Sequence, residues 1–187
     1  TAPNYMMLGC FWVSGKYKKQ GHGKGLLEDV IEAAKRQGKK GLVAVVGAKK
    51  FHFMSDAKWY LNQGFEVCDT LPSGFVLVSL NFGNDDIRPC FNSCTKEAKL
   101  PKSKGCVVYF SNRCPYSEYH VNESLVESCE NRGLSLQVIK IETMEQAQSA
   151  PTPATIFSLY VDGEFITTDI SVCMNSRFDK VVGKSKG

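Results

Sequence analysis

Three short segments of this chain hold residues whose types and spacing could do chemistry. The first is Tyr17-Lys18-Lys19-Gln20-Gly21-His22-Gly23-Lys24-Gly25-Leu26-Leu27-Glu28, where two glycines one residue apart open directly into an amphipathic pattern. The free N–H groups of a first helical turn, the helix dipole and residues without a Cβ make an anion site that a diphosphate can approach closely. An ordinary strand-to-helix turn has the same Gly-x-Gly, so the flanking residues must decide. The second segment places Tyr60 four residues before Gly64-Phe65, with Gly64 as a helix C′ residue and Phe65 at the start of a strand. From spacing alone Tyr60 is a half-buried aromatic. The third is Cys114-Pro115-Tyr116-Ser117. A thiol at a helix start is favoured as thiolate by the dipole. Ser117 stands where a dithiol site would have its second cysteine, which leaves a monothiol site or a relic without chemistry. His22 reads as a loop side chain and His120 as a solvated helix residue.

These residues need elements to hold them. The apolar run over residues 6–13 reads as a strand ahead of the glycine loop. Residues 24–37 read as a helix with Leu26, Leu27, Val30, Ile31 and Ala34 at helical spacing, ended by Gly38 and Gly41. Residues 42–46 are continuously apolar, as in a strand covered on both faces. A second helix over 54–62 and strands over 65–69 and 75–80, around Pro72-Ser73-Gly74, complete this part. Residues 83–104 form a polar, lysine-bearing connection, and a boundary falls there. Beyond it the pattern gives a strand over 106–110, a helix through Cys129, a strand over 134–141 and a helix over 143–150 capped by Thr143. Strands over 154–161 and 164–169 join at Asp162-Gly163, and a closing helix covers 174–182.

Composition sets outer limits. Hydrophobic content of 43% and charged content of 22% describe an ordinary globular chain. No apolar run approaches the ~20 residues that span a bilayer, and no secretory signal is visible. The net charge of +4 is modest and its lysines lack interleaved aromatics, which argues against a nucleic-acid partner. Of the eight cysteines, Cys10, Cys68, Cys106 and Cys129 sit in apolar or periodic stretches and are expected as buried free thiols. Cys90-x-x-x-Cys94 lacks a second ligand pair, so no metal site is expected. A reduced, cytoplasmic protein without a membrane partner follows.

The glycine segment resembles the acyl-CoA loop of the GNAT N-acetyltransferases, whose pattern is Arg/Gln-x-x-Gly-x-Gly/Ala. Lys18, Gly21 and Gly23 take the pattern positions, with Lys18 a departure that keeps positive charge. A second register, Gln20-x-x-Gly23-x-Gly25, also fits. The first is preferred because it places Tyr17 and Leu26-Leu27 where the family has an aromatic and an apolar pair. Tyr60, Gly64 and Phe65 match the family's Tyr-x-x-x-Gly-Phe. The resemblance implies a mixed α/β GNAT-like domain over residues 1–82, here lacking the strands and helices that members usually place ahead of the loop. A fragment of a longer protein, or an unusually short domain, would account for this.

The same resemblance implies site residues. Lys18, Lys19, Gln20, Gly21, His22, Gly23, Lys24 and Gly25 would bind the pyrophosphate of acetyl-CoA. The main chain of Phe11, Trp12 and Val13 would run along the pantetheine, and Tyr60 would protonate the leaving thiolate. No base is identifiable, and the acceptor is a small-molecule or peptide amine of unknown identity. Residues 105–187, in the order βαβαββα with Cys114-Pro115 at the first helix and Thr152-Pro153 before the hairpin, resemble the thioredoxin/glutaredoxin fold, which implies a cis Pro153 facing Cys114. The combination resembles the YoaP-type proteins. The expected activity is N-acetyl transfer with an accessory thioredoxin-like domain, and a homodimer is one arrangement considered. The alternative is a CoA-binding, non-catalytic GNAT remnant joined to a monothiol redox or partner-binding module.

Overall fold

The computed structural model describes residues 1–48, 54–55, 57–83, 88–96, 100 and 103–185. The chain divides into two compact units, Thr1–Phe91 and Asn92–Gly187.

The first unit is a four-stranded sheet in the order β1-β2-β4-β3, formed by β1 (Tyr5–Leu8), β2 (Gly41–Gly47), β3 (Glu66–Thr70) and β4 (Phe75–Asn81). β1 runs parallel to β2, while β4 is antiparallel to both β2 and β3. Two helices, α1 (His22–Arg36) and α2 (Ala57–Asn62), bury their apolar stripes on one face of the sheet. Leu27 and Ala34 of α1, Tyr60 of α2 and Phe65 meet Leu8, Leu42, Ala44, Val46, Val76 and Val78 there. Leu27 and Ala34 stand seven residues apart, the repeat that returns a helix to the same face. Removing water from a leucine side chain stabilises such a core by about 1.5–3 kcal/mol.

The strand expected over residues 6–13 is shorter. Pairing ends at Leu8↔Ala44, while β2 continues to Gly47 against β4. Gly9 follows the last pair, and Phe11 is drawn onto Trp59, with ring centroids 4.9 Å apart. The first helix begins at His22 instead of residue 24. In the second, Met54 and Ser55 are not helical, Asp56 lies outside the described residues, and the Gly47 N–H donates to the Ser55 carbonyl at 3.3 Å.

The second unit has the sheet order β6-β5-β7-β8, from β5 (Cys106–Phe110), β6 (Leu136–Lys140), β7 (Phe157–Val161) and β8 (Glu164–Thr167). β5 and β6 are parallel, and β7 is antiparallel to both β5 and β8. Between β5 and β6 runs a helical stretch of α3 (Ser117–Tyr119), a π-helical segment (His120–Leu125) and α4 (Val126–Glu130). α6 (Asn175–Ser185) closes the unit. Cys106, Val108 and Phe110 of β5 and Phe157, Leu159 and Val161 of β7 alternate onto one face. Val121, Leu125, Cys129, Val172, Cys173 and Phe178 cover that face. α5 (Met144–Ser149) begins with a capping box between Thr143 and Gln146 and buries none of its own residues. Asp162 (φ 53°) and Gly163 (φ 81°) both occupy the left-handed region, the two-residue hairpin geometry that an Asp-Gly pair favours.

Two expectations need correction in this unit. β7 starts at Phe157, not residue 154, because residues 152–155 are tied in a turn. The Ala154 N–H donates to Thr152 Oγ1 at 3.2 Å and the Thr155 N–H to the Pro153 carbonyl at 3.0 Å. No peptide bond among the described residues is cis, so the cis Pro153 is absent. No described helix is long and apolar enough to cross a membrane.

Candidate functional site

The end of β1, the start of α1 and the start of α2 converge in the first unit. Gly21 is the N-cap of α1, at φ 85°, and provides no side-chain cap. The Lys24 and Gly25 N–H groups donate to its carbonyl at 2.9 and 3.1 Å. Among the described residues, the amides of Lys19, Gln20, Gly21, His22 and Gly23 meet no protein acceptor. Helix starts usually satisfy such donors with Ser, Thr, Asp or Asn and place acids in the first turn. The first turn of α1 has no acid and bears Lys24, whose ammonium stands 3.8 Å from Glu28 with both side chains exposed. A cation at the positive end of the dipole is unfavourable without an anion to share it. Lys16, Lys18 and Lys19 are exposed on the approach, and Lys18 Nζ lies 4.9 Å from the Trp12 ring centroid. His22 is exposed and meets Tyr17 edge-on at 6.1 Å, in keeping with a loop side chain.

Gly23 has a different role from Gly21. A Cβ on Gly23 would stand 3.5 Å from Trp59, 3.8 Å from Phe11 and 3.8 Å from Val13, whereas a Cβ on Gly21 would meet nothing within 4 Å. Gly23 therefore lets α1 sit against the aromatic cluster, and a valine there would press its branches on those side chains. The glycine loop is open to solvent at Gly21 and packed at Gly23. Gly25 also has open space around it.

Cys10, Phe11, Trp12 and Val13 continue beyond β1 with no backbone hydrogen bond to another described residue. Trp12 is 72% exposed, so its side chain is free of the core. Phe11 and Val13 are half-buried. Past the end of the ladder, the main chain of Phe11, Trp12 and Val13 is unpaired among the described residues, as an added strand would need.

Tyr60 is more buried than its spacing indicates, at 1% exposure. Its ring packs on Trp59 and Phe65, each at 5.1 Å, and on Phe11 at 6.3 Å. Burial raises its pKa above the ordinary phenol range; a hydrogen bond from Ser55 acts against this and the nearby Cys10 thiol adds to it. The phenol therefore stays protonated through neutral pH. The helix ends as its Gly64 signal requires, with Gly64 at φ 89° and the Phe65 N–H donating to the Tyr60 carbonyl at 3.1 Å. Cys10, expected as a buried thiol, is exposed, and Cys68 is half-buried at the bulge between Val67 and Asp69. Cys106 and Cys129 are buried. Cys10 is exposed because the strand pairing ends at Leu8, two residues before it.

In the second unit Cys114 is half-exposed in a turn three residues ahead of α3, and its carbonyl accepts from the Ser117 N–H at 3.2 Å. Ser117 is fully buried. The Ser111 N–H donates to the Ile156 carbonyl at 3.1 Å, which ties the turn after β5 to the segment after Pro153. No hydrogen bond among the described residues joins Cys114 to Pro153. Tyr116 and Tyr119 beside the turn are 67% and 65% exposed, so this surface is open. No group of three or more His, Cys, Asp or Glu suited to a metal ion occurs among the described residues.

Comparison with known proteins adds two findings. A family model described as YoaP-like matches residues 135–180, within the second unit. Over 182 residues the chain is 34% identical to a protein named "Uncharacterized N-acetyltransferase YoaP" from Bacillus subtilis (strain 168), covering 97% of this chain and 71% of that protein. No solved structure matches the chain significantly.

Proposed function

The chain belongs to the YoaP-like family, and from that premise we propose that it transfers the acetyl group of acetyl-CoA to an amine in the manner of the GNAT enzymes. The observation that carries this reading is the uncapped, acid-free start of α1, with five consecutive amides that meet no acceptor among the described residues. Acetyl-CoA would supply an acetyl group already activated as a thioester.

The amides of Lys19 to Gly23 hold the diphosphate, and Lys18 and Lys24 add positive charge beside it. The unpaired main chain of Phe11, Trp12 and Val13 takes the pantetheine as an added strand. Tyr60 donates its proton to the leaving sulfur, a role that suits a phenol kept neutral by burial. The Phe11, Trp59 and Phe65 rings hold the phenol in one orientation. The relative's name supports acetyl transfer, and the strand pairing that ends at Leu8 while β2 runs on supports the GNAT assignment. The β6-β5-β7-β8 order and its directions support a thioredoxin-like accessory unit, with Cys114 as its thiol.

The test is transfer itself. The full chain is incubated with acetyl-CoA labelled in the acetyl group and a mixture of small-molecule and peptide amines. Labelled N-acetyl product appearing with free CoA is the expected result. Binding of acetyl-CoA without product would favour a non-catalytic CoA-binding unit.

A further inference from the structure

Trp59 and Tyr60 are consecutive on α2, so their side chains leave the helix about 100° apart. Tyr60 points into the core at 1% exposure, whereas Trp59 is half-buried at its rim. There the indole meets three parts of the site. Its outer ring faces Gly23 in the first turn of α1, where a Cβ would stand 3.5 Å from Trp59 Cζ2. The indole also lies 4.9 Å from the Phe11 ring and 5.1 Å from the Tyr60 ring, edge-on to the phenol at 88°. Two of these neighbours have a second task open to them. The Gly23 N–H and the Phe11 main chain meet no backbone partner among the described residues. Gly23 therefore offers an amide to a diphosphate on one side and its Cα to the indole on the other. Phe11 offers main chain to an added strand and its ring to the same indole. α2 has only six residues, too few to hold its place without tertiary contacts.

We infer, resting on the acetyl-CoA reading, that Trp59 is a positioning residue that couples the seating of the diphosphate at Gly23 to the orientation of the Tyr60 phenol. Anion binding fixes the Lys19–Gly23 backbone, and with it the surface on which the indole leans. Close-packed side chains pass such a displacement on instead of absorbing it. The indole's edge-on contact carries it to the phenol, and the Phe11 ring, on Trp59 and on Tyr60 at 6.3 Å, closes the path from the pantetheine side. Binding energy gained at the remote diphosphate is thereby used to orient the proton donor at the reacting sulfur. The coupling is reciprocal, so the state of the phenol also acts on nucleotide affinity. A tryptophan suits this place because its outer ring reaches Gly23 while its inner ring stays on Phe11 and Tyr60.

The experiment titrates the full chain, carbon-labelled at the tyrosine Cζ, with 3′-phospho-ADP, the nucleotide end of CoA without its pantetheine arm. This probe occupies the loop but cannot reach the phenol. The Cζ resonance reports the hydrogen bonding of the phenol oxygen, and Tyr60→Phe assigns the Tyr60 signal. A saturable shift of that signal is expected in the wild type. Trp59→Phe keeps a ring against Phe11 and Tyr60 but lacks the outer ring that faces Gly23. It should still bind the probe by calorimetry and lose the Tyr60 shift. Its single-turnover CoA release should slow about tenfold with acetyl-CoA affinity retained, a partial misplacement beside the ~10²-fold that a full ångström can cost. A residue that merely packs would lower the melting temperature and leave the shift in place. Wild-type chain that binds acetyl-CoA while 3′-phospho-ADP leaves Tyr60 unmoved, or a shift or release rate unchanged in Trp59→Phe, overturns the role of Trp59 and leaves the acetyl-CoA reading standing. Wild-type chain that fails to bind acetyl-CoA overturns that reading and this inference with it.

Discussion

Changing Tyr60 to Phe separates packing from proton donation. The phenylalanine ring occupies the same volume, so contacts with Trp59 and Phe65 at 5.1 Å and with Phe11 at 6.3 Å persist. Such ring pairs contribute about 0.5–1.5 kcal/mol each beyond area burial. The variant loses the phenol hydroxyl and its polar contacts, a net cost of about 0.5–1.5 kcal/mol. Ser55 is only half-buried, so its hydroxyl turns to water and no orphaned donor remains. For a chain of this size the melting temperature should fall by about 2–4 °C per kcal/mol. A general acid contributes roughly 10²–10⁴-fold, or about 3–5 kcal/mol of barrier at 1.36 kcal/mol per decade. The kinetic loss therefore exceeds the stability loss severalfold and is measurable on fully folded protein. Single-turnover release of CoA, with acetyl-CoA affinity by calorimetry alongside, is the assay. A slowed rate with unchanged affinity is expected. A rate within about twofold of wild type would refute the assignment of the proton to Tyr60.

Other outcomes follow from the same geometry. Lys18→Glu with Lys24→Glu should weaken CoA binding about tenfold or more, with the wild-type affinity falling as salt rises, because exposed pairs contribute up to about 1 kcal/mol each and reversal doubles the effect; calorimetry across ionic strength checks it. Leu125→Ala, at a fully buried position in the π-helical segment, should destabilise the second unit by about 2–5 kcal/mol in denaturant unfolding. Burial pushes the Cys173 thiol up to about 12 and raises the phenols of Tyr60 and Tyr160. Their folded-state values exceed the unfolded ones, so their stabilisation is complete below the unfolded values, about 8.5 for Cys and 10 for Tyr, and is lost as pH rises beyond them. Melting temperature should therefore fall above about pH 8.5, with the Cys173→Ala variant showing a smaller decline. Thr143→Ala removes the α5 cap and should cost about 0.5–2 kcal/mol, seen as faster amide exchange across residues 144–149.

The elements were legible where pattern and turn chemistry agree. Cys106 to Phe110 alternates onto a single core face, Thr143 with Gln146 specifies a capped helix start, and Asp162-Gly163 specifies a hairpin. What local pattern could not supply were facts of tertiary packing. Residues 9–13 remain apolar after the ladder stops, so the alphabet alone carries the strand to Val13, while Phe11 instead joins Trp59. Gly23 looks the same as Gly21 in sequence, yet only Gly23 packs against Phe11, Val13 and Trp59. Tyr60 at 1% exposure shows that an aromatic four residues before a helix-ending glycine can be a core residue and a site residue together. The turn of residues 152–155 depends on a side-chain bond, Ala154 N–H to Thr152 Oγ1, and a backbone bond, Thr155 N–H to the Pro153 carbonyl, neither of which β-propensity encodes.

The central claim, that the start of α1 holds the diphosphate of acetyl-CoA, is tested most directly by titrating the isotope-labelled full chain with acetyl-CoA and following its amide resonances. Saturable shifts concentrated on Lys19, Gln20, Gly21, His22 and Gly23, reproduced by CoA and diminished by Lys18→Glu with Lys24→Glu, are the result the account predicts. Binding that shifts other amides while leaving these five unchanged would contradict it.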